Sequence, residues 1–175
     1  MKHIRLPGGL VLAGARDRGQ AIITADQMFA SRLKAQHVRN GEVVGDYDFG
    51  SGLVTTEFCT ILALALGGTA GNITLFKFHD SGTGVTAAAI GDTDLQTPAG
   101  PTTRATGSQS PSGVVYTTVG TIAYTGTLAI TEWGLFSTAA RATTEILDHK
   151  VFAAINVVSG DSIQFTYALT CNAGG

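Results

Sequence analysis

The sequence predicts a mainly-β protein: an antiparallel β-sandwich, jelly-roll or immunoglobulin-like, with an extended N-terminal arm that contains one short helix. Three observations carry that prediction. Apolar and polar residues alternate at period two through the last third of the 175-residue chain, most cleanly from Ile163 to Cys171. Short apolar runs are separated by turns drawn from 23 glycines. Only one segment carries helix punctuation at both ends, which argues against alternating strands and helices around a parallel sheet.

The helix signal lies in residues 1–52, read as the arm. Thr24-Ala25-Asp26-Gln27 has the form of a capping box, with Ile23 and Met28 placed as a hydrophobic staple. Ala25, Met28, Phe29 and Leu33 can share a helical face, and His37 and Arg39 precede Asn40-Gly41, a suitable stop. A helix over about 25–39 is therefore expected, flanked by Gly-rich extended chain. Charge is uneven along the chain. Residues 1–50 hold seven basic and five acidic side chains, a balance of about +2, and residues 51–175 hold four and eight, about −4. A basic arm laid over the acidic surface of a neighbouring copy explains this, and so does packing of the arm on its own domain. Arg5, Arg16, Arg18, Met28, Phe29, Leu33 and Arg39 are the candidate interface residues. Ordering some fifty such residues costs on the order of 1–2 kcal/mol each in backbone entropy, so the arm is expected to be held mainly by other chains.

Residues 53–175 are read as the sandwich. Leu53 to Leu66 mixes alternation with an apolar run; a strand is preferred there, although a helix over 56–66 also fits. Asn72 to His79 reads as a strand with Ile73 and Leu75 on one side and Phe76 and Phe78 on the other. Residues 96–112 are dense in Thr, Ser, Pro and Gly and read as a long surface loop, with at most a short strand near Thr102 to Thr106. Strands follow over Val114 to Tyr124, Leu128 to Phe136, Ile146 to Phe152 and Asn156 to Val158. After a turn at Gly160-Asp161, residues 162–171 alternate in the manner of an outer strand.

Little in the sequence points to chemistry. No nucleophile elbow, phosphate loop or H-E-x-x-H motif is present, so no enzyme activity and no cofactor are expected. The four histidines, His3, His37, His79 and His149, are far apart in sequence. His79-Asp80 is an adjacent imidazole and acid, read more simply as a turn whose Asp caps its own backbone. Asp92 and Asp94 could offer oxygens to a hard cation, but no further carboxylate array follows and an Asx-turn is the plainer assignment. Cys59 and Cys171 are expected as two buried thiols on neighbouring strands, and Trp133 as a core aromatic rather than an interface anchor. Basic and aromatic residues are not interleaved, which gives nucleic acid no footprint. The longest apolar stretch, Ile61 to Leu66, is far short of the roughly 18–20 residues of a spanning helix. Arg16, Asp17 and Arg18 follow Leu10 to Ala13 too closely for a signal-peptide core, so cytoplasmic synthesis is expected. Charged residues make up 14% of the chain against an ordinary level of about 25%, as expected where much of the surface faces protein.

Leu128-Ala129-Ile130-Thr131-Glu132-Trp133-Gly134-Leu135-Phe136, then a variable loop, then Val151 to Ile163 leading into a closing strand, resembles a group of small virion structural proteins of tailed bacteriophages. Phe78-His79-Asp80-Ser81-Gly82-Thr83-Gly84 and Ala88 to Leu95 look like the same group. The resemblance covers most of residues 72–171 and leaves the first fifty outside. It implies a non-catalytic protein located in the virion after assembly in the host bacterial cytoplasm. Its partners would be copies of itself and the major capsid protein or another virion protein. A head decoration (cement) or minor capsid role leads; a tail, baseplate or fibre-associated role and a carbohydrate-binding module are the alternatives. Trp133, Gly134, Phe136, Asn156, Gly160 and Asp161 would then define the fold rather than perform chemistry.

Overall fold

A computed structural model describes residues 28–69, 72–99, 102–141 and 145–172. They form two five-stranded antiparallel sheets. The first has the order β2 (Glu42–Gly50), β1 (Phe29–Arg39), β10 (Ser162–Cys171), β7 (Val115–Ala123), β6 (Ser108–Ser112). The second has the order β3 (Leu53–Val54), β9 (Ile146–Val157), β8 (Leu128–Phe136), β4 (Phe78–Gly82), β5 (Ala105–Thr106). Their inner faces meet in one apolar core: Leu33, Ile122, Phe165 and Tyr167 from the first sheet pack with Ile130, Trp133, Leu135 and Ile155 from the second.

The helix expected over 25–39 does not form across 29–39, and 25–27 lie outside the described residues. Those eleven residues are β1, and their exposure alternates: Ser31, Leu33, Ala35 and His37 face inward while Ala30, Arg32, Lys34 and Gln36 face water. Period two outweighs the local helix signal because β1 gains a partner on each side, ten residue pairs with β10 and a ladder with β2. Asn40-Gly41 is the two-residue turn of a hairpin. Arg39 pairs with Glu42, and both turn residues have positive φ, +54° and +82°. Such a turn matches strand twist, and Asn-Gly adopts it at least cost. Residues 29–50 are thus sheet rather than arm.

The described helix is α1 (Thr56–Leu66), where the strand preference proves wrong. Thr55 caps it, its Oγ1 accepting the Phe58 N–H at 3.2 Å, and Gly67 N–H closes the other end on the Ala63 carbonyl. Phe58 and Ile61 anchor it to the core, and its Ala/Leu run has high helix propensity. Asn72–Leu75 is a single 3-10 turn instead of a strand start, so β4 begins only at Phe78. Part of the expected loop 96–112 is β5 and β6. Ile146 to Val157 is one strand, not two. β10 alternates as expected, yet it is the centre of its sheet, paired with β1 and β7; its mildly polar side faces water rather than an open edge. Cys59 and Cys171 are both free and exposed, Cys59 on α1, where its outward position leaves the core to Phe58 and Ile61.

Sheet edges are guarded. β3 and β5 have two residues each, β6 is exposed throughout and contains Pro111, and β2 carries Glu42, Asp46 and Asp48. On β9, Ile130 pairs with Ile155 and Glu132 with Val151, so Thr131 faces three residues, 152–154. This bulge interrupts the otherwise apolar free edge and turns Phe152 onto Phe49 of β2, the rings stacking at 4.2 Å.

Candidate functional site

Polar and charged side chains are concentrated beneath the loop between β4 and β5. Glu132 is fully buried on β8, where Trp133 and Leu135 pack into the core. One of its oxygens, Oε1, accepts the backbone N–H groups of Gly84 at 2.9 Å and Thr97 at 2.8 Å, and Oε2 accepts that of Gln96 at 2.9 Å. The third-layer partner is His149 of β9, also fully buried, with Nε2 3.1 Å from Glu132 Oε2 and Nδ1 2.6 Å from Asp92 Oδ2. Burial opposes charge on both partners of this contact, but hydrogen bonds win: His149 is held above the ordinary histidine range by Glu132 and Asp92, and Glu132 below the ordinary carboxylate range by His149 and the three N–H groups. The arrangement suits an imidazolium between two carboxylates. Gln96 and Thr86 close the same loop on itself through Thr86 N–H to Gln96 Oε1 at 2.9 Å and Gln96 Nε2 to Thr86 O at 2.6 Å.

A second cluster lies beside it. Arg141 donates twice to Asp80, Nε to Oδ2 at 2.9 Å and Nη2 to Oδ1 at 2.7 Å. Arg104 is buried with its guanidinium 3.5 Å from the Phe136 ring centre, donating to the carbonyl of Ala140 and to Asp94. Burial pulls its pKa down from the ordinary arginine value, against the opposing charges of Asp94 and Asp80. A third cluster joins the tip of the β1–β2 hairpin to the β9–β10 turn. Asp161 takes Arg39 at 2.7 and 2.8 Å, His37 Nε2 at 2.8 Å and the Val158 N–H at 2.9 Å. The Arg39 guanidinium leads in holding Asp161 far below the usual carboxylate range.

In each of these clusters, the acceptors are taken by backbone N–H groups or cations of the same chain, which makes them clamps on loops. Among the described residues no three His, Cys, Asp or Glu side chains converge as metal ligands. Asp92 and Asp94 are committed instead: Asp92 to His149 and the Ala89 N–H, Asp94 to Arg104 and the Leu95 N–H. His79 and Asp80 do not form a turn. They lie in β4, fully buried, His79 receiving the Trp133 indole N–H on Nδ1 at 3.2 Å and touching Thr118 Oγ1 at 3.2 Å through Nε2.

Of the candidate interface residues, Arg5, Arg16 and Arg18 lie outside the described residues. Leu33 is core, Phe29 packs edge-on against Phe58 at 5.6 Å, Met28 is half exposed, and Arg39 is bound to Asp161. Of the candidate fold residues, Trp133, Phe136 and Asp161 are buried, Asn156 is exposed on β9, and Gly160 turns with φ +92°. Gly134 is packed so tightly that a Cβ would stand 2.8 Å from Ile146 Cδ1. Sequence patterning does not single out Glu132, His149, Arg104 or Arg141. The available signal is a charge inside an apolar strand, Glu132 in Leu128–Phe136 and Asp148-His149 in Ile146–Val157, because such a charge must find partners indoors. Comparison with protein-family models, curated proteins and solved structures finds no match.

Proposed function

We propose that this chain is a non-catalytic structural protein of a tailed-phage virion, a head decoration or minor capsid protein that stabilises the head through many protein contacts. The observation that supports it most is the use of charge. Glu132, His149, Asp80, Arg104 and Asp161 are all buried and spent on fixing the chain's own loops, in a protein with few charges overall. Such a molecule offers a rigid, thinly charged surface, suited to repeated shallow contacts whose strengths multiply across a lattice. The sandwich is taken as jelly-roll or immunoglobulin-like, and residues 1–27 as the basic arm, whose Arg5, Arg16 and Arg18 reach an acidic neighbour. Its partners are copies of itself and the major capsid protein, with no role for nucleic acid, membrane or cofactor.

A carbohydrate-binding role has less support, since the stacked Tyr47, Phe49 and Phe152 rings spend their faces on one another. The deciding experiment is electron microscopy of purified particles carrying a tagged copy of this chain. Label distributed over the head supports the proposal. Label confined to the tail or baseplate replaces it with the tail-associated role, and absence from particles removes both.

A further inference from the structure

The outer face of α1 is a surface without a partner among the described residues. Leu66 is 84% exposed and Leu64 48%, and Cys59, Thr60 and Ala63 are exposed beside them. Glu57 is the only charged residue in the eleven-residue helix. The apolar surface continues past the helix start, where Ile90, 61% exposed, accepts the Thr56 N–H on its carbonyl. There a cavity of 330 Å³ opens between Phe29, Val54 and Ile90. An apolar surface of this kind, on a fold whose strand edges are guarded, marks a contact site.

The occupant is suggested by where the chain outside the described residues is attached. Residues 1–27 join at Met28, and the next residue, Phe29, lines that cavity and packs against Phe58 of α1. Both parts of the twenty-seven residues hold apolar side chains, Leu10 to Ala13 among them, and they divide by charge and by distance from Met28. Lys2, Arg5, Arg16, Asp17 and Arg18 carry the charge of the first eighteen, whereas 19–27 hold Ala21, Ile22, Ile23 and Ala25 with Asp26 as the sole charge. Nine extended residues span about 30 Å, and an eleven-residue helix is about 16 Å long. The nearer part of the segment can therefore cover α1 and still leave the basic part free. Tethering at Met28 gives it a local concentration in the millimolar range, so weak apolar contacts suffice.

We infer that residues 19–27 seat on the outer face of α1 of their own chain, with the stretch next to Met28 crossing the cavity at Phe29 and Ile22 or Ile23, about 20 Å of extended chain from Phe29, reaching the flank at Leu64 and Leu66. This is independent of the virion proposal, because it concerns the isolated monomer and is tested without a particle. It also divides the arm, assigning the near part to its own chain and the far, basic part to a neighbour.

The test is hydrogen exchange on the full chain, verified as a monomer by sedimentation, together with the alkylation rate of Cys59, which is exposed on the same face. Seating predicts amides in 19–27 slowed at least tenfold against free peptide rates. It also predicts loss of that protection in Leu64→Asp/Leu66→Asp, with β10 amides unchanged as the check that the fold is intact. Should that variant not fold, Ile22→Ser/Ile23→Ser replaces it and is expected to raise Cys59 alkylation several-fold. Free exchange of 19–27 in the monomer overturns the inference. Protection that survives both variants overturns it as well, and protection that grows with concentration gives the face to a second copy instead.

Discussion

His79 shows what one buried side chain commits the molecule to. Its ring fills the gap between sheets so closely that a Cβ on Gly120 of β7 would stand 2.4 Å from His79 Cδ2. Gly120→Ala is expected to cost about 1–3 kcal/mol through overpacking. Gly126→Ala, with open space around it, should change stability by less than about 0.5 kcal/mol; urea denaturation of the two variants checks the contrast. Asp148 is the opposite kind of residue. Its Oδ2 accepts the Tyr167 hydroxyl at 3.0 Å, and burial outweighs the hydrogen bonds from Ser31, Tyr167 and the Leu53 backbone to push the carboxyl up to about 6. The native state therefore holds this proton more tightly than the unfolded chain does. Stability from this group is complete below the ordinary carboxylate value and falls as pH rises from about 4 through 6. The loss is about 3 kcal/mol when a tenfold change is worth 1.4 kcal/mol. Burial acts on His79 with the reverse sign: pushed down to about 3, it makes stability rise with pH between about 3 and 6.5. Asp148→Asn is expected to stabilise the protein at pH 8 and to change little at pH 4. A parent-minus-variant comparison at each pH cancels the His79 contribution, and an equal effect at both would show that folding does not raise the Asp148 pKa.

At the scale of elements, the two ends of the loop over residues 83–97 meet on one side chain. Glu132 takes three backbone N–H groups from Gly84, Gln96 and Thr97, so Glu132→Ala is expected to cost about 2–4 kcal/mol by leaving these donors and His149 without an acceptor. Exchange at amides 84, 96 and 97 should quicken while β10 amides keep their protection; uniform quickening would mean that the loop is not an independent unit. The boundaries of β8 and β10 were legible in the sequence because their alternation meets no competing signal. Residues 29–39 were not, since capping and charge signals at 24–40 describe a local preference, whereas the strand is fixed between β2 and β10, the latter more than 120 residues away. The Asn40-Gly41 pair was visible and ambiguous: the same dipeptide ends helices and turns hairpins, and only the alternation on both sides separates the two. Residues 56–66 failed the other way, with Leu and Ala repeats that alternate by accident along a capped helix. The buried clusters were legible only as charges misplaced in apolar strands. Their partners come from loops whose paths sequence does not encode locally.

At the scale of the whole molecule, the edges and faces divide the work of association. Two-residue strands, Pro111, the acidic side chains of β2 and the bulge at 152–154 all oppose strand addition. Contacts with other chains are therefore expected through faces and through the basic arm. Residues 1–27 carry four basic and two acidic side chains, and residues 28–175 carry seven and eleven, balances of +2 and −4 that sum to the net −2 of the chain. In the proposed assembly, attraction between the arm of one copy and the body of another weakens as salt rises, because exposed charges are screened over about 10 Å at 0.1 M. Reversing two of those charges in Arg16→Glu/Arg18→Glu changes the arm from about +2 to −2, turning attraction into repulsion. Under the proposed virion role, incorporation of this variant into phage particles, measured by co-sedimentation, is expected to fall at least tenfold, whereas Ala153→Lys on the bulged edge should leave it within twofold. Loss in Ala153→Lys alone would move the contact from the arm to the β9 edge, and equal loss in both would remove the distinction between them. No loss in either would remove the arm from the assembly and leave the faces of the sandwich as the surface that holds the chain in place.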